Sequence, residues 1–199
     1  MSEPLVARVI FRPVLGALAR APLPPAGVTL LFALLASGAG TAVASGREVA
    51  GGAAVVAAAL VAAIPGELAR QGQPGRPFAR VLHAVTGRYA DAAVLGGMTV
   101  YAVRFEEWPR AEVVGGLALA STLVVAYATA RVEASLGTGS RTSAPGSFLV
   151  SDEIRWAVAA VGALTGQCFW ALAVVGASGG IATAWRLAYL RLRRVGLEP

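Results

Sequence analysis

Residue types that can do chemistry are concentrated in one stretch of the 199-residue sequence, residues 62–91. It reads AAIPGELARQGQPGRPFARVLHAVTGRYAD. Its carboxylates and its imidazole belong to Glu67, His83 and Asp91. These types can ligate a metal ion or exchange a proton. Arg70 and Arg88 add guanidinium groups, which bind phosphate through paired hydrogen bonds. The stretch therefore has the side chains for a metal or phosphate site.

The composition of the chain predicts that this stretch belongs to a membrane protein. Hydrophobic residues make up 56% of the sequence, charged residues make up 14%, and the mean hydropathy is +0.66. Soluble domains carry about 25% charged residues. The net charge of +6 comes from arginines at the ends of apolar runs, as in topology signals and not as in a nucleic-acid-binding surface. We therefore expect membrane lipids, and no nucleic acid, as partners.

Six apolar segments have about the length needed to cross a bilayer core of roughly 30 Å. They cover residues 27–45, 49–69, 79–103, 111–131, 153–168 and 169–190. Only thirty residues separate Arg155 from Arg186, so the last turn lies near residues 166–168 or at residues 176–180. The first position is favoured because it leaves a longer last helix. The predicted fold is an all-α integral membrane protein with six transmembrane helices.

The distribution of arginine predicts the orientation of these helices. About residues 4–20, arginines alternate with apolar side chains, which predicts an amphipathic helix lying in the membrane interface. The 17 basic residues are all expected on one side except Arg47, Arg104 and Arg110. By the positive-inside rule, both termini are predicted to be cytoplasmic, with a basic tail at about 191–199. We expect one domain over residues 1–199, located in the cell (plasma) membrane.

Small residues are frequent in the predicted helices. The pairs Gly96–Gly97 and Gly115–Gly116 present bare surface, which lets helix backbones approach closely in lipid. They predict close packing within the bundle, with a dimer seam as the alternative.

Several short pieces of the chain resemble one enzyme family. PGELAR at residues 65–70 and RYAD at residues 88–91 have the spacing of the signature D-x2-D-G-x2-A-R-x8-G-x3-D-x3-D. That signature is typical of the CDP-alcohol phosphotransferases, and the chain most resembles the inositol-phosphate-transferring branch. The pieces P-x-x-V-T at residues 25–29 and Y-x-x-A-R-x-E at residues 127–133 are similar to that family as well.

Aligned with the signature, the chain keeps its first glycine, its alanine and its arginine but none of its four aspartates. The kept residues are Gly66, Ala69 and Arg70. The aspartate positions hold Ala62, Pro65, His83 and Gly87. In the family, these carboxylates hold divalent metal ions that neutralise the CDP pyrophosphate, and the last also serves as base for the attacking hydroxyl. The resemblance therefore implies Mg²⁺ or Mn²⁺ for an intact relative, and no cofactor for this chain.

Other residues offer only weak candidates for catalysis. His83 and Asp91 lie two helical turns apart on roughly one face, and Glu67 lies beside the motif, so a metal site of these three is conceivable. Imidazole is, however, a poor ligand for Mg²⁺. Ionisable groups at membrane depth mark a site or an ion pair. The favoured interpretation pairs Glu67 and Asp91 with Arg70 and Arg88 across a polar crevice.

Phosphate or CDP binding is the role that the resemblance leaves to the kept residues. The predicted set is Gly66, Ala69, Arg70 and Arg88. Relatives place basic residues at the start of the fifth span, in a form like R-D-V-R, whereas residues 152–155 read DEIR, with Asp152 in place of an arginine. Arg131 and Arg155 are candidates for an anion or headgroup site. The alternative is that they mark the cytoplasmic boundary.

The sequence thus predicts a degenerate family member without metal-dependent transfer from a CDP donor. We expect a non-catalytic partner or lipid-binding subunit in phospholipid, glycolipid or related biosynthesis, as a homodimer or with an active homologue. The alternative is a membrane enzyme that uses His83, Glu67, Asp91 and Arg70 on a different lipid-phosphate or isoprenoid-like substrate. A transporter or channel is disfavoured, since no repeat of broken helices and no ring of charge is evident.

Overall fold

The computed structural model describes residues 25–70, 77–136 and 151–195, and within these ranges all regular structure is α-helical. The helices are α1 Pro25–Ala44, α2 Glu48–Arg70, α3 Pro77–Arg104, α4 Ala111–Leu136, α5 Asp152–Leu164 and α6 Cys168–Val195. They follow the six predicted apolar segments closely, which confirms the all-α class. The interfacial helix predicted at about 4–20 and the end of the basic tail lie outside the described residues.

Among the described residues, three helices are long and apolar enough to cross a membrane. These stretches are Ala26–Ala44, Ala111–Val132 and Cys168–Ala188, and a shorter apolar helix covers Glu48–Ile64. The fifth helix has only 13 residues, which is about 20 Å at the usual rise per residue. A membrane protein is therefore confirmed, while six crossings and cytoplasmic termini stay predictions.

The turn between α5 and α6 lies at residues 165–167, the position favoured from the sequence. Gly166 takes a left-handed conformation with φ +66°. The N–H of Gln167 donates to the Gly162 carbonyl at 2.8 Å, as in the Schellman closure of a helix. Gly46, with φ +77°, ends α1 in the same way. Two helical hairpins are therefore closed by very short turns.

Helix packing in the bundle depends on close backbone approach. Helix α1 packs on α2 and α3, α4 packs on α3 and α6, and α5 packs on α2 and α6. A Cβ atom at Gly97 would lie 2.2 Å from the Gly40 carbonyl oxygen, whereas one at Gly96 would meet no atom of the described residues within 4 Å. Gly97 therefore serves packing within the bundle, as predicted, and Gly96 does not.

The short turns gather at one end of the bundle, where polar groups tie the helices together. The Tyr101 hydroxyl donates to the Glu48 carboxylate and so joins α3 to α2. Glu106, in the loop after α3, accepts from the backbone N–H groups of Cys168 and Phe169. A carboxylate at a helix N-terminus accepts hydrogen bonds from the free N–H groups and interacts favourably with the positive end of the helix dipole. Glu106 therefore caps α6 from another part of the chain.

Aromatic side chains surround the same end. Trp108 stacks on Phe169 with ring centroids 4.9 Å apart, and Trp170 meets Trp108 edge-on at 5.6 Å. Trp108 and Trp170 remain 42% and 54% exposed. Half-exposed tryptophans are typical of the membrane–water boundary, which predicts that this end lies at one membrane surface.

We expect the substitution Gly97→Ala to destabilise the bundle, because the new methyl group would meet the backbone of α1. Overpacking of this kind costs about 1–3 kcal/mol. The matched variant Gly96→Ala should leave stability unchanged or slightly raise it, since alanine favours helix. Thermal unfolding in mild detergent measures both, and equal melting temperatures for the two variants would contradict this packing.

The capping role of Glu106 gives a second prediction. Glu106→Ala should lower stability by about 0.5–2 kcal/mol, the usual range for loss of an N-terminal cap. The neighbouring exposed residue gives the control, since Glu107→Ala removes the same charge without removing this cap. The comparison uses the same thermal unfolding measurement, and an equal loss for both variants would refute the cap.

Candidate functional site

The first half of the signature lies at the end of α2. Ala62 is partly buried and packs against the core. Helix α2 continues to Arg70, but the side chains of residues 65–70 lie outside the described part of the structure. Binding by Gly66, Ala69 and Arg70, and a role for Glu67, therefore stay predictions.

The imidazole of His83 faces α1 and α2. Its ring centroid lies 5.5 Å from that of Phe32, which in turn lies 5.7 Å from that of Trp156. The ring also interacts with the backbone of Ala62. The first and third aspartate positions of the signature are thus neighbours across α2 and α3. An aromatic group packs where the resemblance places a metal cage.

One nitrogen of this ring is unsatisfied. The Nδ1 atom of His83 is buried and has no hydrogen-bond partner among the described residues. A buried polar atom without a partner is costly, and in native proteins it often marks a functional position or an unseen water. One turn later, a Cβ atom at Gly87 would have no neighbour within 4 Å in the described structure. Open space therefore lies on α3 between His83 and Asp91.

Four charged residues form an ion network at this site, which we call the Asp91 network. Its members are Arg88, Asp91, Asp152 and Arg155. Arg155 Nη2 lies 2.8 Å from Asp91 Oδ1 and 3.0 Å from Oδ2. Arg88 Nη1 lies 3.1 Å from Asp91 Oδ2. The contact between Arg88 and Asp91 is the one expected from the sequence, and Arg155 is added to it.

Asp152 completes the network on its outer side. Its Oδ1 lies 2.9 Å from Arg155 Nη1, and its Oδ2 lies 3.4 Å from Arg88 Nη2. Each guanidinium therefore contacts Asp91 with one terminal nitrogen and Asp152 with the other. Two arginines and two aspartates cancel in formal charge.

Burial differs strongly between the two aspartates. Asp91 is 4% exposed and Asp152 is 64% exposed. A buried carboxylate is tolerated only when it is paired and hydrogen-bonded, so Asp91 depends on the two guanidiniums. Asp152 keeps water around most of its side chain and does not depend on them.

The other predicted anion-binding residue lies apart from the network. Arg131 is exposed on α4, and no ion pair or hydrogen bond joins it to the Asp91 network in the described ranges. Arg186 of α6 instead reaches α4, where it donates to Thr129 Oγ1 at 2.7 Å. The structure thus brings Arg155 into the site without Arg131.

The residues present do not fit Mg²⁺ or Mn²⁺. Hard cations need several oxygen ligands at short distances. At the described signature positions, Ala62 and Gly87 have no ligand atom, and His83 offers one imidazole. No group of three His, Cys, Asp or Glu side chains with metal-binding geometry occurs among the described residues. Asp91 is already engaged by two guanidiniums.

A cavity of about 110 Å³ lies between α4, α5 and α6, next to the network. Four valines, Ile154 and Gly179 line it together with three hydroxyl groups and Arg155. The hydroxyl groups belong to Ser121, Thr122 and Ser178. They donate to carbonyl groups of their own helices, so the space itself is apolar. Arg155 therefore separates a charged cluster from a space suited to hydrocarbon.

One residue and one contact of this arrangement are not predicted from the sequence. The residue is Asp152, which stands in place of the expected arginine, and the contact is that of Arg155 with Asp91. Arg155 and Asp91 are 64 positions apart, so local periodicity gives no indication of their contact. The available signal was that a charge on an apolar helix requires a partner.

Comparison with known proteins identifies one curated relative and several solved structures of similar fold. No protein-family model matches the sequence. The chain is 38% identical over 176 residues to the bifunctional IPC transferase and DIPP synthase of Rubrobacter xylanophilus. The match covers 87% of this chain but only 38% of that relative.

Solved structures share the fold. Phosphatidylinositol phosphate synthase of Mycobacterium tuberculosis with CDP-DAG bound superposes with a TM-score of 0.70, at 23% identity, covering 90% of this chain and 92% of that one. The same enzyme in complex with manganese and citrate also gives 0.70, at 22% identity, covering 90% and 88% of the two chains. At this identity the likeness concerns the fold.

The different burial of the two aspartates predicts different costs of neutralising them. Asp91→Asn should lower the free energy of unfolding by about 3–5 kcal/mol, because it breaks a buried pair and leaves cationic groups unbalanced. Asp152→Asn should cost at most about 1 kcal/mol, since exposed pairs contribute little. Thermal unfolding of the two variants in the same detergent checks this, and a larger loss for Asp152→Asn would overturn the assignment.

Proposed function

We propose that this chain, a relative of the CDP-alcohol phosphotransferases, has lost their metal-dependent transfer reaction. It acts as a non-catalytic partner or lipid-binding subunit in phospholipid, glycolipid or related biosynthesis. Its place is the cell membrane, with both termini in the cytoplasm.

One observation carries the proposal. The four signature positions that hold aspartates in the family hold Ala62, Pro65, His83 and Gly87 here. Transfer from a CDP donor relies on metal ions to hold and neutralise the phosphates. Without carboxylates at these positions, a metal pair has no ligand set.

The Asp91 network supports the same conclusion. Asp91 is the nearest described carboxylate along α3 to the missing positions, and it is held at 2.8–3.1 Å by Arg155 and Arg88. Releasing it to a metal ion would leave two guanidiniums without their inner partner, one of them nearly buried. The carboxylate therefore has a structural task that competes with metal ligation.

Lipid binding is supported by the joint position of charge and apolar space. Arg155 lines the apolar cavity and also belongs to the ion network. A lipid with a phosphate headgroup offers both chemistries, an anion for guanidinium groups and a chain for the cavity. In this proposal, Arg88, Arg155 and the predicted Arg70 bind the phosphate.

If this chain does not catalyse the transfer, a partner protein is expected to do so in the cell. The chain spans 38% of the length of the curated relative that it matches, so that relative's two named activities are not carried over. We propose that this chain pairs with a second copy or with an active homologue whose aspartates are intact.

A second candidate function has one observation in its favour. The Nδ1 atom of His83 is buried and has no hydrogen-bond partner in the part of the chain that the structure describes. A membrane enzyme could use this imidazole as a base, together with Asp91, on another lipid-phosphate or isoprenoid-like substrate. An activity lost in His83→Ala but kept in the neighbouring exposed variant Val85→Ala would support it.

The proposed loss of transfer is tested with purified protein, a CDP-linked lipid donor and Mg²⁺ or Mn²⁺. We expect no transfer, in contrast to a relative with intact aspartates assayed beside it. Mn²⁺ binding, followed by electron paramagnetic resonance, should appear only when Ala62→Asp, Pro65→Asp, His83→Asp and Gly87→Asp are combined. Metal-dependent transfer by the unmodified protein would refute the proposal.

A further inference from the structure

The two aspartates of the Asp91 network contact the two arginines from opposite sides. Asp91 contacts Arg88 Nη1 and Arg155 Nη2, and Asp152 contacts Arg88 Nη2 and Arg155 Nη1. The guanidinium pair thus has an inner edge and an outer edge. Each edge presents nitrogens from both arginines, which is an arrangement that suits an oxyanion.

Asp91 alone does not balance the charge of the two guanidinium groups. Asp91 is buried and cancels one of the two positive charges, so one positive charge remains for whatever occupies the outer edge. In the structure, Asp152 supplies the negative charge that balances it. A phosphate monoester would supply more, since it carries about −1.5 to −2 at neutral pH and offers three acceptor oxygens.

Asp152 is much more exposed to water than Asp91. It is 64% exposed, it is the first residue of α5, and its contacts are 2.9 Å to Arg155 and 3.4 Å to Arg88. Exposed ion pairs contribute little to stability because water and salt compete with them. The carboxylate can therefore turn into water without a change in the helix.

The outer edge of the guanidinium pair is accessible. Asp152, which occupies this edge, is 64% exposed and Arg88 is 27% exposed, whereas Arg155 is 11% and Asp91 is 4% exposed. An incoming anion can therefore reach the pair from the side of Asp152 and Arg88.

We infer that Asp152 is a built-in counterion that occupies the outer edge of the Arg88–Arg155 pair, and that a phosphate monoester binds there by displacing it. The phosphate belongs either to a lipid headgroup or to a small soluble molecule. This inference rests on the proposed function, since it describes how the proposed phosphate site is kept closed and how it opens.

The test compares Asp152→Asn with Glu153→Gln. Both remove one negative charge from the first turn of α5, but Glu153 is exposed and makes no ion pair within the described residues. Phosphate binding is read from the rise in melting temperature with increasing inorganic phosphate in mild detergent, at constant ionic strength. A parallel arm uses nanodiscs that contain phosphatidic acid, with phosphatidylcholine as the neutral reference.

Asp152→Asn should bind phosphate roughly tenfold more tightly than the unmodified protein, because a contacting like charge has been removed. Glu153→Gln should bind as the unmodified protein does. Adding Arg88→Gln to Asp152→Asn should abolish the gain while Asp91 keeps Arg155. A gain in the phosphatidic acid arm alone identifies a lipid headgroup, and a gain in both arms shows that free phosphate suffices.

Three results would overturn the inference. These are equal affinity with and without Asp152 in both arms, an equal gain for Glu153→Gln, and a gain that survives Arg88→Gln. The proposed loss of transfer fails separately, through activity with a CDP donor, which none of these binding measurements reports. The two proposals are therefore distinguishable.

Discussion

The burial of Asp91 is the constraint on which the arrangement of the site depends. A carboxylate that is 4% exposed in an apolar helical bundle must be paired, because its desolvation is otherwise too costly. Arg155 provides the closest contact from α5 and Arg88 provides another from α3 itself. Helix α5 packs mainly on α2 and α6 and has few contacts with α3, so the Asp91–Arg155 pair is the main polar link between α5 and α3 in the described residues.

This constraint is one of two sets of side-chain contacts that hold the bundle together around the signature. In the described residues, packing around the signature relies on the aromatic contacts of His83, Phe32 and Trp156 and on the Asp91 network. Neither needs a bound ion. At the other end, Glu48, Tyr101 and Glu106 hold the short turns together. The two ends of the described bundle are thus held by different sets of residues.

Much of the fold was predictable because its signals are local. Apolar runs of about 20 residues fixed the helices, and Gly166 marked the last turn because only glycine takes its φ readily. Contacts between distant residues were not predictable in this way. Arg155 was identified as a candidate anion ligand, but its partner Asp91 lies 64 positions away. The capping of α6 by Glu106 spans 62 positions and was likewise hidden. A charged residue in an apolar helix shows that a partner is needed without showing which one.

Because the turn at Gly166 is short, the Asp91–Arg155 pair depends on the angle between α5 and α6. From Gly166 back to Arg155, helix α5 is a rigid arm of about 16 Å. A rotation of about 10° around the turn would displace Arg155 by nearly 3 Å over such an arm, which is enough to separate it from Asp91. A change in the angle between α5 and α6 would therefore break the Asp91–Arg155 pair and also alter the apolar cavity that these helices line.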